Sequence, residues 1–212
     1  MWYGLSSSLK VGENMSHYFE NDKGLKSNKK LNKVIINDIE FSFLSDNGVF
    51  SKRGLDYGTR TLLENLDTKH IHGNILDFGC GYGPIGIYLS KVCNCSVDMI
   101  DINNRSLELA RENSNINNVN TNTFYSNIYE NINKKYDFII SNPPIRVGKE
   151  ILYKILFEAY DHLNENGELW IVINKDQGAK SVVRDLEKKY ETSIIEKNKG
   201  FYVICSKRID TL

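Results

Sequence analysis

One run constrains the fold more than any other. Ile75-Leu76-Asp77-Phe78 leads without a break into Gly79-Cys80-Gly81-Tyr82-Gly83-Pro84-Ile85-Gly86. A short apolar strand ending in three glycines within five residues, with a helix over 84–92, is a strand–turn–helix unit. Glycines there let the backbone turn sharply and let a ligand approach without interference from a Cβ. Gly81 to Gly86 also satisfies the literal GxGxxG pattern, which alone is weak support for a dinucleotide site.

The same alternation continues along the chain. Strands are predicted over 74–78, 96–100, 121–124, 136–141 and 168–173, with helices over 84–92, 106–113, 149–163 and 178–189. Two further strands, 192–196 and 201–206, meet at Asn198-Lys199-Gly200. Seven strands alternating with helices imply an α/β, Rossmann-like, doubly wound sheet, mostly parallel, with an antiparallel hairpin at its C-terminal edge. Asn164-Glu165-Asn166-Gly167 reads as a turn. Upstream, 33–36 and 39–44 flank Asn37-Asp38 as a small N-terminal β-hairpin, and Leu55 to Leu66 carry a helix face.

Composition narrows the class. The 212 residues are 41% hydrophobic and 25% charged, as in an ordinary globular chain. Lys+Arg 27 against Asp+Glu 27 leaves no net charge, so nucleic-acid binding would have to rest on local patches. No apolar run approaches a membrane span, and the expected setting is cytosolic, with a monomer favoured. Cys80, Cys93, Cys95 and Cys205 match neither a secreted framework nor a zinc site, so no metal is expected. Residues 1–14 lack periodicity and read as a leader or an upstream-start extension. The expected division is a basic segment with the hairpin over 15–54 and the main domain over 55–212.

Three further positions carry chemistry. Asp101 closes the second strand of the alternating series, where an acidic residue can hold both hydroxyls of a ribose; it could equally cap the following helix. Asp77, inside the first of these strands, would be costly there unless it took hydrogen bonds from the glycine-loop amides and helped to orient a cationic ligand. Asp98 is read as facing a solvent side. Ser141-Asn142-Pro143-Pro144 ends the fourth strand at the edge where ligands bind in open α/β sheets. Two prolines remove two donors, so carbonyl acceptors are left to grip the hydrogens of an exocyclic amine.

These motifs resemble class I S-adenosylmethionine-dependent methyltransferases that act on planar amino groups. With Gly48-Val49-Phe50-Ser51-Lys52-Arg53-Gly54-Leu55-Asp56-Tyr57-Gly58-Thr59 and Ser126-Asn127-Ile128-Tyr129, the chain is similar to the 16S ribosomal RNA guanine-N2 (RsmC-like) group, in a single-domain form. The resemblance implies S-adenosylmethionine contacts from Asp77, Gly79, Cys80, Gly81, Gly83, Asp101, Ile102, Asn127, Ile128 and Asn142. It further implies that Phe50, Asp56 and Thr59 close over the cofactor, that Asn142, Pro143 and Pro144 form the catalytic segment, and that ribosomal RNA or the small subunit is the partner. One departure stands out: members of the group often carry an aromatic residue after Asn-Pro-Pro, and here it is Ile145.

The expected chemistry is in-line attack of an amine on a sulfonium methyl, driven by orientation and desolvation. Ile145, Arg146 and Lys149 are the candidate substrate contacts, the two cations as a phosphate grip or simply as a solvated loop and first helical turn. Lys23, Lys26, Lys29, Lys30 and Lys33 read as an RNA patch or as a solvated tail. Adenine N6, a protein glutamine or a small molecule suits the same Asn-Pro-Pro logic, and the GxGxxG pattern keeps a nicotinamide-dependent oxidoreductase open.

Overall fold

The computed structural model describes residues 26–47, 54–144 and 148–210. The segment 1–14, Lys23, Phe50, Ile145 and Arg146 lie outside them.

The chain enters through a hairpin of β1 (Lys30–Ile36) and β2 (Ile39–Ser45). Its two-residue turn, Asn37-Asp38, has φ of 45° and 64°. That is the left-handed pair whose twist matches the flanking strands, and Asn and Asp tolerate it. Ile36, Phe41 and Phe43 on one face are buried.

Among the described residues five α-helices follow: α1 (Tyr57–Glu64), α2 (Pro84–Val92), α3 (Asn104–Ile116), α4 (Lys149–His162) and α5 (Ala179–Leu186). The outer edge of β2 meets α3 rather than another strand. Asn113 accepts from the Leu44 N–H at 2.7 Å and donates to the Leu44 carbonyl at 3.0 Å. One helical turn on, Asn117 does the same to Ser42, at 3.0 and 2.8 Å. Spaced i, i+4, the two amides share a helix face and satisfy four edge groups of β2.

The main sheet has seven strands: β3 (Gly73–Phe78), β4 (Cys95–Asp101), β5 (Asn122–Tyr125), β6 (Tyr136–Ser141), β7 (Leu163–Asn174), β8 (Tyr190–Asn198) and β9 (Phe201–Arg208). Their order is β5-β4-β3-β6-β7-β9-β8, with only β9 and its neighbours paired antiparallel. One core layer joins the hairpin, α1, α2 and α3 to one face of the sheet, and α4 and α5 cover the other. Fully buried side chains such as Ile75, Leu76, Ile139 and Ile171 each contribute about 1.5–3 kcal/mol of burial.

This architecture matches the expected one, with two local corrections. The predicted turn at 164–167 lies inside β7. Asn166 has φ 61° there, and the register against β6 shifts between Tyr136 and Phe138, so turn-like residues form a bulge within one long strand. Asp98 is buried at 4% exposure instead of facing solvent. The Tyr136 hydroxyl at 2.7 Å and the Lys134 ammonium at 2.9 Å satisfy its carboxylate. Among the described residues no helix is long and apolar enough to cross a membrane.

Candidate active site

The direction of winding reverses between β3 and β6, and in such sheets a crevice opens beyond the carboxyl ends of those strands. A cleft of about 530 Å³, counting its solvent-open part, lies there. Gly79, Asp101, Ile102, Asn127, Ile128 and Pro144, all singled out from sequence, line it. Phe78, Ile100, Ser126, Ile151 and Ile155 complete the wall and were missed. Ile151 and Ile155 belong to the apolar stripe of α4, whose periodicity announces a core face and gives no sign that one end of it floors a cleft.

Asp101 ends β4 with one carboxylate oxygen accepting the Gly81 amide at 2.9 Å and the other the Asn103 amide at 2.8 Å. It therefore ties the glycine loop to the next strand. The helix cap that Asp101 could have supplied comes from Asn103, which accepts from Arg105 and Ser106. Burial pushes the Asp101 carboxyl up, against the pull of amides from Asn103, Gly81 and Ile102. With those three amides the carboxylate keeps one lone pair for a further donor.

Asp77 is fully buried. One oxygen accepts the Gly86 amide, in the first turn of α2, at 2.8 Å, and among the described residues the other has no partner. Burial, reinforced by the charge of Asp101 and opposed by the Gly86 amide, pushes its carboxyl up to about 7. Two of the three loop glycines serve different ends. Gly81, at φ 57°, faces open space where a Cβ would stand. Gly83 caps α2 at φ 92°, and a Cβ there would come within 3.0 Å of Ile87 and 3.3 Å of Ala110, so it is a packing residue between α2 and α3. The Cys80 thiol is held well above its ordinary range by burial and by both carboxylates, so it stays protonated and inert.

Asn142 follows β6. Its amide nitrogen donates to Asp56 Oδ1 at 3.1 Å and lies 3.0 Å from Thr59 Oγ1. A carboxylate only accepts, which fixes the nitrogen on that side and leaves the amide carbonyl oxygen free to take a donor. Asp56 also caps α1 by accepting the Thr59 amide at 3.0 Å. Asp56 and Thr59 thus meet the Asn142 side chain, and neither lines the cleft.

At the far wall, Ile128 sits at φ 52°, a strained region for a β-branched side chain. The Ser126 hydroxyl holds that turn by donating to the Ile128 carbonyl at 2.9 Å and accepting from the Asn131 amide at 3.2 Å. The Asn127 amide donates to Glu130 at 2.8 Å. Lys149, at the start of α4, is exposed, its ammonium 5.0 Å from the Tyr153 ring centroid. Of the N-terminal lysines, Lys29 pairs with Glu112 at 2.6 Å and Lys33 with Glu40 at 3.0 Å, so that run is partly neutralised.

S-adenosylmethionine, implied by the motifs, is a nucleoside joined to a cationic amino acid, and the residues suit such a group. The cleft has a carboxylate with an acceptor position to spare at a strand end and an apolar wall of Ile100, Ile102, Ile128 and Ile151. Behind it, the bare oxygen of Asp77 is an orphaned buried acceptor.

The chain is 40% identical over 198 residues to the uncharacterized protein YbxB of Bacillus subtilis, covering 91% of this chain and 98% of that one. It is 40% identical over 145 residues to ribosomal RNA small subunit methyltransferase C of Psychromonas ingrahamii, covering 66% of this chain but 41% of that protein. The chain thus spans less than half the length of that relative. In fold it is similar to the T. thermophilus 16S rRNA N2 methyltransferase RsmC, solved in complex with AdoMet and guanosine, with a TM-score of 0.78 at 21% identity over 87% of this chain and 52% of that one. Residues 40–205 match the family model described as methyltransferase small domain, and to that family this chain belongs.

Proposed function

We propose that this chain transfers a methyl group from S-adenosylmethionine to the exocyclic N2 amine of a guanine in small-subunit ribosomal RNA. The observation that carries the reading is the fixed Asn142 amide. Its nitrogen is occupied by Asp56 and Thr59, so its carbonyl oxygen is committed to accepting. An acceptor at the carboxyl end of β6, beside Pro144 on the cleft wall, suits the N–H of a planar amine. Accepting one amine hydrogen turns the nitrogen lone pair out of conjugation with the ring and toward the cleft.

When bound, the cofactor supplies an electrophilic methyl on a sulfonium. Asp101 would hold its ribose, Asn127 and Ile128 would pack its base, and Asp77, buried and off the cleft wall, would favour its cationic end through its charge. Asn142 would orient the attacking amine, and the apolar cleft walls exclude water from it. The catalytic gain is positional, since the amine loses its proton after transfer and no general base is required. Guanine N2 is preferred over other amines because the chain is 40% identical over 145 residues to a ribosomal RNA small subunit methyltransferase C. A target inside a duplex would have to be flipped into the cleft.

The test is tritiated-methyl transfer to 16S RNA and to small subunits from a strain lacking this protein, with nucleoside analysis of the product. Label in N2-methylguanosine is expected. Label in N6-methyladenosine, or only in protein, removes the guanine assignment. Asn142→Ala should lower kcat by two or more orders of magnitude, about 3 kcal/mol or more, while the Kd for S-adenosylmethionine stays within a few-fold. An equal loss of cofactor affinity would make Asn142 a binding residue only.

A further inference from the structure

We propose that the β8–β9 turn, with Lys199 at its tip, and the Tyr57–Phe201 ring pair beside it form the surface on which the RNA strand carrying the target nucleotide lies. This rests on the reading of the substrate as RNA and adds where that strand docks.

The topology places the turn at the cleft. Because β9 runs antiparallel to β7, Phe201 pairs with Asn174 at the carboxyl end of β7, the same edge at which β6 delivers Asn142. The N-terminus of α1 is wedged between the two: Asp56 bonds Asn142, while a Cβ on Gly58 would come within 2.9 Å of the Phe201 ring. Tyr57, between those residues, lies 5.8 Å from Phe201, centroid to centroid, and the Lys199 ammonium sits 4.9 Å from the centre of its ring. Lys197 covers Tyr202 at 5.1 Å on the opposite face of the sheet, the one that α4 and α5 cover, and is no part of this surface. Lys175, after β7, takes the Gly200 carbonyl on its amide at 2.7 Å and packs its stem beside that residue.

Lys175 and Lys199 are both exposed, and among the described residues neither has a carboxylate within ion-pairing distance. On a chain with no net charge, this differs from the N-terminal run, where Lys29 and Lys33 are already paired. Cations interleaved with half-exposed rings are the combination that grips a single strand, phosphates on the ammoniums and a base on a ring. Tyr57 is the neighbour in sequence of Asp56, which bonds Asn142, and it supplies a ring in a chain whose Asn-Pro-Pro is followed by isoleucine. Lys199 itself is held at φ 45° ahead of Gly200 at φ 87°. Such a two-residue turn favours Asn-Gly, so a lysine at the first position is an expensive way to make it.

That preference supplies a clean test. Lys199→Asn restores the favoured turn sequence while removing the charge, and the double variant K175Q/K199N removes both cations. Methyl transfer to 16S RNA or to small subunits from the deletion strain is measured for the full chain across a salt series. The double variant should unfold at the same temperature or higher and bind S-adenosylmethionine as wild type does. Its KM for RNA should rise about tenfold, with the slope of log KM against log salt reduced by about 1.4. Tyr57→Ala should raise KM about tenfold, and Tyr57→Phe should restore it. An unchanged KM and salt slope in the double variant, with wild type labelling RNA, overturns this surface alone. A wild type that labels no RNA, or only protein, overturns the proposed substrate and this surface with it.

Discussion

Asp77 holds a carboxylate in full burial with one oxygen on the Gly86 amide and the other bare, and its carboxyl is pushed up to about 7. An unfolded aspartate titrates near 3.9, so between about pH 4 and 7 the folded chain binds the extra proton. The stability this group contributes is therefore full below about pH 4 and is lost as pH rises through 7. Asp77→Asn keeps an acceptor for Gly86 and should flatten the dependence of the urea midpoint on pH across that window. A cationic ligand beside the bare oxygen reverses the preference, so the affinity of the wild type for S-adenosylmethionine should rise through pH 7 while that of the variant stays flat. Calorimetry showing the same pH dependence in both would remove Asp77 from the ligand's surroundings. Asp56 tests orientation at the same scale. Asp56→Asn keeps the cap on α1, since Asn caps as well as Asp, but it can donate as well as accept. The Asn142 amide is then free to flip and present its NH₂ to the incoming amine. A kcat about tenfold lower or less, at unchanged cofactor affinity, is expected; a fall in cofactor affinity instead would put Asp56 against the cofactor, as the sequence motif alone implies.

At the scale of elements, the attachment of the β1–β2 hairpin to α3 is the feature with the largest expected energetic consequence. Asn113 is wholly buried and serves three backbone groups: both of Leu44 and, at 2.9 Å, the carbonyl of Tyr82 in the glycine loop. Asn113→Ala leaves them without that partner and should lower stability by roughly 2–5 kcal/mol in urea unfolding. Asn117→Ala should cost less and leave cofactor affinity untouched, because Asn113 alone of the pair reaches the glycine loop. Equal losses of affinity in the two variants would contradict that division. Neither asparagine stood out in the sequence, and the reason is physical. A strand, a glycine turn and a helix are written in neighbouring residues, so β3 to α2 and the strand ends bearing Asp101 and Asn142 were legible. The Asn113–Leu44 and Asn142–Asp56 bonds join residues 69 and 86 positions apart, and an asparagine in a helix carries no local mark of what it will meet. The bulge in β7 escaped for the converse reason: Asn164 to Gly167 have the local composition of a turn, and the pairing of β7 with β6 overrides it.

For the whole molecule, the cleft lies where the two halves of the sheet diverge, and its walls come from β3, β4, the β5–β6 connection and α4. A ligand seated there touches residues that only the folded sheet and α4 bring together, so its binding energy is available only to the folded chain. At a ligand concentration one hundred times Kd, that linkage adds about 2.7 kcal/mol to the stability of the native state. For a chain of this length each kcal/mol moves the unfolding midpoint by about 2–4 °C, so a rise of about 5–10 °C is expected with S-adenosylmethionine or S-adenosylhomocysteine. NAD tests the other reading of Gly81 to Gly86. Its pyrophosphate would bring two further negative charges toward Asp77 and Asp101, both already pushed up by burial and with no described cation paired to either. No midpoint shift is therefore expected with NAD at the same concentration. A shift with NAD matching that with S-adenosylhomocysteine would mean that the cleft selects for adenosine alone, and the bare Asp77 oxygen would lose its place in cofactor recognition. Asp101→Ala separates the two contributions: it should weaken both methyl-donor ligands about ten- to a hundredfold, about 1.5–3 kcal/mol, and shrink the thermal shift accordingly.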